Sequence, residues 1–218
     1  MSGDNRDARR EAARLSRKRF SMSLFVVYFG VRRQHTQIAH HDILFGPRYK
    51  PHLDEIFNGP DVSDDFSLYL HAPTLTDTSV APDGCEAFYV LSPVPHQHSG
   101  LHWPDVAESY RRTIEKHLAE TVLPDLGQHV VTSRMLTPLD FEQRLFSVKG
   151  AAFGLQPILT QTAWFRPHNR DPLIPGLYIV GAGTHPGAGL PGVISSAEVL
   201  ASMVPDAPVL APERMAAE

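Results

Sequence analysis

The residues with the most specific chemistry form a glycine-rich segment near the end of the chain (residues 181–193). A short apolar run, residues 177–180, precedes it, and residues 194–204 follow with the apolar spacing of a helix. Glycines allow the main chain to approach a ligand closely, and the first turn of a helix presents unbonded N–H groups with a partial positive charge. A strand, a glycine-rich segment and a helix in this order favour binding of a phosphate group or a polarised carbonyl.

The spacing of these glycines differs from that of a primary dinucleotide-binding turn. The G-x-G-x-x-G pattern that starts at Gly181 requires a glycine at position 186, where the sequence has Pro186. About 30 residues follow, too few for the rest of a βαβ unit. The segment is therefore not such a turn, and a tight connection that binds no ligand stays open as the alternative.

The elements that must position this segment begin with strands. Residues 22–31 have the β-branched and aromatic composition of a buried strand, and residues 36–45 form a second apolar run. We expect the strands predicted over 66–71 and 86–91 to pair antiparallel, and residues 129–136 predict a further strand.

Three helices are predicted between and after these strands. Residues 49–57 have a proline in the first turn, and Thr137 begins a capping box that predicts a short helix to Phe146. The clearest helix starts at Trp103 and stops before Pro124. Its apolar stripe recurs every four residues: Val106, Tyr110, Ile114, Leu118 and Val122.

The composition predicts a folded core rather than a disordered chain. The chain has 218 residues, of which 42% are apolar and 20% charged, with a formal net charge of −4. This balance argues against a general polyanion binder, so nucleic acid is not expected as a partner. Cys85 is the single cysteine. It excludes an intrachain disulfide and a cysteine-rich metal site, and it fits a reducing compartment.

The first 19 residues form a separate basic leader. They hold seven Lys or Arg and three Asp or Glu, a charge of +4. Basic residues followed by an apolar run are the order of regions in a signal peptide. However, Arg32 and Arg33 directly follow the apolar run and no small-residue cleavage site appears, so a signal peptide is not predicted. A solvated tail and a frayed basic helix that touches anionic lipid are both open interpretations.

The histidines suggest either a metal site or a structural role. The chain has 12 histidines, including the H-x-H-x-x-x-H run His96, His98 and His102 and the pair His40–His41. Two histidines on one strand face can share a metal. However, prolines flank the run and no carboxylate lies within it, so the sequence favours no metal. A serine nucleophile is not indicated either, because no G-x-S-x-G elbow is present.

Three motifs carry a resemblance to a known family. They are SLFVVYFG (residues 23–30), QTAWFRPHNRD (residues 161–171) and LYIVGAGTHPGAGLPGVISS (residues 177–196). In this order they resemble the C-terminal part of the bacterial phytoene desaturases, and the likeness covers residues 14–203. The resemblance implies an α/β fold of mixed α+β type, the C-terminal part of an FAD-dependent amine-oxidase-like fold. Its mixed or antiparallel substrate-domain sheet carries helices and is joined by a returning strand, glycine loop and helix of the FAD domain.

The resemblance also implies a domain order and an activity. After the basic leader at 1–19, it predicts a substrate-binding layer at 20–157 and an FAD-domain segment at 158–204, and we expect a flexible tail at 205–218. The implied activity is dehydrogenation of phytoene or a related carotenoid precursor with non-covalently bound FAD. The family's first βαβ unit has no counterpart here, so we expect a separately encoded N-terminal FAD-binding half or a start further upstream. A non-catalytic remnant and a sister carotenoid isomerase or dehydrogenase are the open alternatives.

The implied FAD contacts fall in the glycine-rich segment. The residues expected to contact the ribityl phosphate are Gly181, Gly183 and Thr184. The residues expected to form the first turn of the helix, with their main chain facing the isoalloxazine carbonyl, are Pro191, Gly192 and Val193. The helix dipole would favour negative charge on the flavin. Ala182 stands where related flavoproteins often have an acidic residue, and His185 is either a proton-handling group or a loop-stabilising side chain.

A hydrocarbon substrate implies an apolar tunnel and contact with lipid. The candidate walls are Phe153, Leu155, Trp164 and Phe165, each of which could equally be plain core. Arg166 and His168 could lie near the flavin or cap the neighbouring loop. We expect a cytoplasmic protein attached peripherally to the membrane face, because the substrate resides in lipid.

Overall fold

A computed structural model describes residues 4–65 and 67–205. The chain divides into two compact units. One contains the chain up to Lys18 together with residues from Pro157 onward, and the other is Arg19–Gln156. Within the described ranges, no helix has the length and apolar character needed to cross a membrane. Apart from Pro205, the predicted tail lies outside the described residues.

The unit Arg19–Gln156 is built on a five-stranded antiparallel sheet in the order β2-β3-β4-β1-β5. The strands are β1 Ser23–Val31, β2 His41–Phe45, β3 Ser67–His71, β4 Glu86–Val94 and β5 Val130–Leu136. The mixed α/β class with an antiparallel sheet is confirmed, as is the antiparallel pairing of β3 with β4. The run predicted over 36–45 is a strand only from His41.

In the part of this unit that the structure describes there are four α-helices: α2 Tyr49–Asn58, α3 Trp103–Thr121, α4 Leu126–His129 and α5 Pro138–Leu145. The predicted capping box is confirmed, since the Thr137 side chain accepts from the Asp140 N–H and the Asp140 carboxylate accepts from the Thr137 N–H. Helix α4 occupies the chain just before β5 and was not predicted. Its four residues are too few to give a periodic signal.

The core lies between the sheet and α3. Every second side chain of β1 lies on the face of the sheet that packs against this helix. The Phe25 ring stacks on Trp103 at a centroid distance of 5.5 Å and lies edge to face with Tyr110 at 5.0 Å. Tyr110 is buried, and its hydroxyl is hydrogen-bonded to Ser92 Oγ at 2.8 Å. Burial raises the pKa of Tyr110. The core face of α3 consists of Trp103, Ala107, Tyr110, Ile114 and Leu118.

The core face of α3 differs slightly from the predicted stripe. Val106 and Val122 are only partly buried, whereas Ala107 is buried. A strict four-residue spacing drifts around the helix, because an α-helix has 3.6 residues per turn. The buried positions therefore follow a mixture of three- and four-residue steps.

Among its described residues, the other unit holds two α-helices, α1 Asp4–Ser16 and α6 Leu190–Ala201. The strand predicted over 177–180 was wrong: Tyr178 forms a single bridge to Arg170, and Leu177, Ile179 and Val180 remain exposed. A strand is stabilised by neighbours on its edges and apolar packing on its faces. In the described part of this unit only residues 169–171 pair with it, through Asp171 N to Leu177 O and Ile179 N to Asn169 O.

Helix α6 begins four residues earlier than residues 194–204 suggested. Pro191 lies in its first turn. Proline suits this position, because its φ is already helical and its missing N–H would have no intrahelical partner there. The helix ends at Ala201 rather than at residue 204.

Candidate functional site

The glycine-rich segment folds as a tight loop that runs into the first turn of α6. Gly187 and Gly189 have φ of 144° and 93°, in the region where a side chain is strained. A Cβ on Gly192 would lie 2.6 Å from the Gly187 carbonyl oxygen, so the loop and the helix start are packed against each other. On Gly181 and Gly183, an added Cβ would meet no atom within 4 Å. The main chain there is open to an approaching ligand.

Asn169 holds the loop from the inside. This buried side chain has its amide nitrogen 3.2 Å from Ile179 O, 3.3 Å from Thr184 Oγ1 and 3.4 Å from Ser196 O. The Thr184 hydroxyl donates to Gly181 O at 3.0 Å. The loop conformation is therefore fixed by interior polar groups that belong to three separate stretches of chain.

Ser196 ties the loop to α6. Its hydroxyl accepts from the Gly181 N–H at 2.9 Å and donates to Val193 O at 2.7 Å. Neither Ser196 nor Asn169 was predicted as a site residue. Both lie within the motifs that carry the resemblance, but their type and spacing gave no signal of a shared hydrogen-bond network.

The first turn of α6 presents free main-chain donors. Gly189 is its N-cap and supplies no side-chain cap, and Val193 N bonds back to Gly189 O. Pro191 has no N–H, so Leu190 and Gly192 carry the N–H groups that have no partner within the helix. Leu190, Pro191 and Val193 are exposed to solvent. This turn can donate to a carbonyl or phosphate oxygen.

Five of the six predicted cofactor-binding residues lie on the accessible side of the loop and helix start, and one does not. Gly183, Pro191 and Val193 are exposed, and Gly181 and Gly192 are half-buried. Thr184 is buried and uses its hydroxyl inside the loop. Its observed contacts hold the loop in shape, and its assignment to the ribityl phosphate stays a prediction.

A cavity of about 370 Å³ in the same unit is lined by aromatic and basic side chains. Trp164 packs edge-on against His168 at 4.8 Å and against His185 at 6.0 Å. Arg166 is buried and approaches Gly187, and burial lowers its pKa. None of the six predicted cofactor residues lines this cavity. Among the candidate tunnel walls it includes Trp164 and Phe165.

The two remaining tunnel candidates lie in the unit Arg19–Gln156. Leu155 is buried and its main chain bridges Phe20, whereas Phe153 is partly exposed. Leu155 is therefore core within its own unit. The role of both as tunnel walls stays a prediction.

A second surface of chemical interest is the sheet face opposite α3, which the sequence did not indicate. One row of directly paired residues crosses all five strands: His41, His71, Tyr89, Tyr28 and Arg134. The Tyr28 and Tyr89 rings meet edge to face at 5.3 Å, and Tyr69 lies 6.0 Å from Tyr89. We call Tyr28, Tyr69 and Tyr89 the tyrosine face. Burial, together with the other two tyrosines, raises the pKa of Tyr89, which keeps its hydroxyl protonated.

Next to the tyrosine face lies a cavity of about 400 Å³ between β1, β4, β5 and the loop around Pro82. Its floor includes Gly30, where a Cβ would lie 2.7 Å from Thr132 Cγ2. The missing side chain at this position allows β1 and β5 to pair closely. The sequence signal for this surface was one tyrosine in each of β1, β3 and β4, and the register of the strands is needed to show that the three lie together.

The chain belongs to the flavin containing amine oxidoreductase family, which residues 6–203 match. This assignment fits the open glycine-rich segment and the uncapped start of α6. A flavin is the cofactor that the family implies.

The resemblance to bacterial phytoene desaturases is confirmed. The chain is 52% identical over 205 residues to the lycopene-forming phytoene desaturase of Pseudescherichia vulneris, covering 94% of this chain and 42% of that protein. The corresponding enzyme of Pantoea ananas is 52% identical over 196 residues, with 89% and 40% coverage. The neurosporene-forming enzyme of Rhodobacter capsulatus is 46% identical over 200 residues, with 89% and 38% coverage. The chain thus spans about 40% of the length of these relatives.

One solved structure, an oxidoreductase from Methanosarcina mazei, aligns with a TM-score of 0.45 at 16% identity. The alignment covers 84% of this chain and 35% of that one.

Proposed function

We propose that this chain forms the C-terminal part of an FAD-dependent desaturase that removes hydrogen from phytoene or a related carotenoid precursor. The single observation that carries the proposal is the 52% identity to a phytoene desaturase over 94% of the chain. The remaining flavin contacts, including a G-x-G-x-x-G turn, would come from an N-terminal half that this chain does not contain.

The residues of the glycine-rich segment fit a flavin. The main chain at Gly181 and Gly183 has room for a ligand where a Cβ would meet no atom. The N–H groups of Leu190 and Gly192 in the first turn of α6 can donate to a carbonyl or phosphate oxygen, and the helix dipole favours negative charge beside them. A bound flavin would supply the hydride acceptor for the substrate.

The side chains have a limited chemical task. An allylic C–H bond offers no polar handle, so binding and orientation of the hydrocarbon are what the protein must supply. The tyrosine face and the cavity of about 400 Å³ next to it offer flat aromatic surface for such a substrate. Asn169 and Ser196 contribute by keeping the flavin-facing main chain in one conformation.

The proposal includes peripheral attachment to the cytoplasmic membrane face. Residues 1–19 carry a charge of +4. Helix α1 is largely exposed along residues 6–16, so its arginines are accessible to anionic headgroups. Binding to vesicles of anionic lipid, lost at high salt, is the expected result, and recovery in the lipid-free fraction in all conditions would contradict it.

A complementation assay tests the desaturase proposal. The chain is coexpressed with the complementary N-terminal part of the Pseudescherichia vulneris desaturase in a phytoene-accumulating host, and carotenoids are extracted. Coloured products are expected only when both parts are present. Purified alone, the chain is expected to bind FAD weakly or not at all, because half of the cofactor contacts are missing.

Gly183→Val is the site variant in this assay. It places a side chain in the open space on the loop without a clash, so the fold should persist while product falls at least tenfold. Ala197→Val adds a similar volume to an exposed position of α6 and should keep activity. Full activity of Gly183→Val, or no product from a soluble complex of both parts, would refute the proposal.

A further inference from the structure

Three histidines meet at one corner of the sheet, and we call them the histidine cluster. His40 directly precedes β2, His41 is the first residue of β2, and His71 is the last residue of β3 and pairs with His41 in the ladder. Their ring centroids are 4.3 to 4.9 Å apart. Within residues 4–65 and 67–205, this is the one group of three potential metal ligands whose donor atoms all lie within 4.8 Å of one another.

Hydroxyl groups behind the cluster orient two of the rings. Thr76 Oγ1 lies 2.8 Å from His40 Nδ1 and 3.3 Å from Pro73 O, so it can donate to the carbonyl and accept the hydrogen of Nδ1. In that tautomer the lone pair of His40 is on Nε2, which lies 2.9 Å from His71 Nε2. Tyr69 OH lies 2.7 Å from His41 Nδ1 and can accept from it in the same way, because a phenol oxygen both donates and accepts. Hydrogen bonds from the non-ligating nitrogen are the usual support of metal-bound histidines.

Two of the three ligand nitrogens require only a small adjustment for metal binding. His40 Nε2 and His71 Nε2 are 2.9 Å apart. Two nitrogens bound to one tetrahedral Zn²⁺ at its usual bond length are about 3.3 Å apart, so shifts of a few tenths of an ångström are enough for this pair. All three donor atoms lie within 4.8 Å of one another, so the exposed His41 ring must move by up to about 1.5 Å to join them.

The surroundings leave room for a fourth ligand. His41 is exposed, whereas His40 and His71 are half-buried. A metal held by these three rings would therefore face solvent on one side and could complete its coordination with water. Imidazole ligands suit Zn²⁺, Cu²⁺ and Ni²⁺ rather than Mg²⁺ or Ca²⁺.

We propose that His40, His41 and His71 bind a divalent first-row transition metal, with Zn²⁺ as the physiological candidate. The site goes beyond the proposed desaturase function and supplies no step of it. Its effect is structural: β2 is an edge strand, and the metal would link its first residue and the preceding turn to the end of β3. Metal binding to the folded state stabilises that state by mass action.

Zn²⁺ binding by the untagged, chelator-treated full chain tests this assignment. Isothermal titration with Zn²⁺ is expected to give one saturable site, and thermal unfolding is expected to shift upward when Zn²⁺ is added. His71→Gln and His41→Gln should each weaken Zn²⁺ affinity at least tenfold and remove the thermal shift. Tyr69→Phe, which removes only the supporting hydroxyl, should weaken affinity by a smaller factor.

His102→Gln is the matched control, because it removes an exposed histidine of the H-x-H-x-x-x-H run and should leave Zn²⁺ binding unchanged. Since His41 is exposed, His41→Gln is expected to fold even if His71→Gln does not, and circular dichroism checks both variants. The assignment is overturned by absence of saturable Zn²⁺ binding, or by binding that His41→Gln leaves intact. Loss of binding in His102→Gln with retention in His41→Gln would assign the metal to the other run and would equally overturn it.

Discussion

Removal of the Asn169 side chain should loosen the glycine-rich loop. Its amide has two hydrogens and three acceptors at 3.2 to 3.4 Å, so about two hydrogen bonds are lost in Asn169→Ala. Each is worth about 1 kcal/mol, and a cavity is left where the buried side chain was. The free energy of local opening should be about 2 kcal/mol lower, which corresponds to a roughly 30-fold larger equilibrium constant for opening.

Hydrogen exchange read by mass spectrometry measures this effect directly. The Gly181 N–H, bonded to Ser196 Oγ, reports on the loop, and peptides over residues 177–200 should exchange faster in Asn169→Ala. Asn58→Ala is the matched control, because it removes an exposed hydrogen bond of 2.7 Å to Asp54 in α2 and should leave the loop unchanged. Unchanged exchange over the loop in Asn169→Ala would show that other contacts fix its conformation.

Three further predictions concern the unit Arg19–Gln156. Phe25→Ala should destabilise this unit by about 4 kcal/mol in urea unfolding, because the ring is fully buried against α3. Phe45→Ala, at an exposed position, should change the free energy of unfolding little, and equal losses of stability in the two variants would contradict the assigned core. Glu86→Leu should cost about 3 kcal/mol, since the buried carboxylate accepts from the main chain of His35 and lies 2.9 Å from its Nδ1. A neutral result would mean that the pair is dispensable. Burial lowers the pKa of His96, so protonation favours the unfolded state and stability should fall as the pH drops below 6.5. His96→Gln should flatten this dependence, and an unchanged pH profile would refute the assignment.

The sequence by itself determined the elements whose signals are local. The apolar stripe of α3 and the capping box of α5 both depend on residues three or four positions apart. The capping box is confirmed, and the helix is confirmed with Tyr110, Ile114 and Leu118 of the predicted stripe on its buried face. The motifs also determined the family, because they are contiguous stretches that a linear comparison can match. The strand predicted over residues 177–180 failed for the converse reason. Its apolar composition is local, but a strand forms only where neighbouring chain is available to pair with it.

Only the tertiary structure decided which distant residues meet. Asn169, Thr184 and Ser196 form one network although 27 residues separate the first from the last. His71 joins His40 and His41 from 30 positions away, because the β2–β3 register places it directly opposite His41. The tyrosine face depends in the same way on the register of β1, β3 and β4. The alternation within one strand indicates which of its side chains share a face, but which residues of two strands lie opposite each other depends on the register between segments distant in the chain.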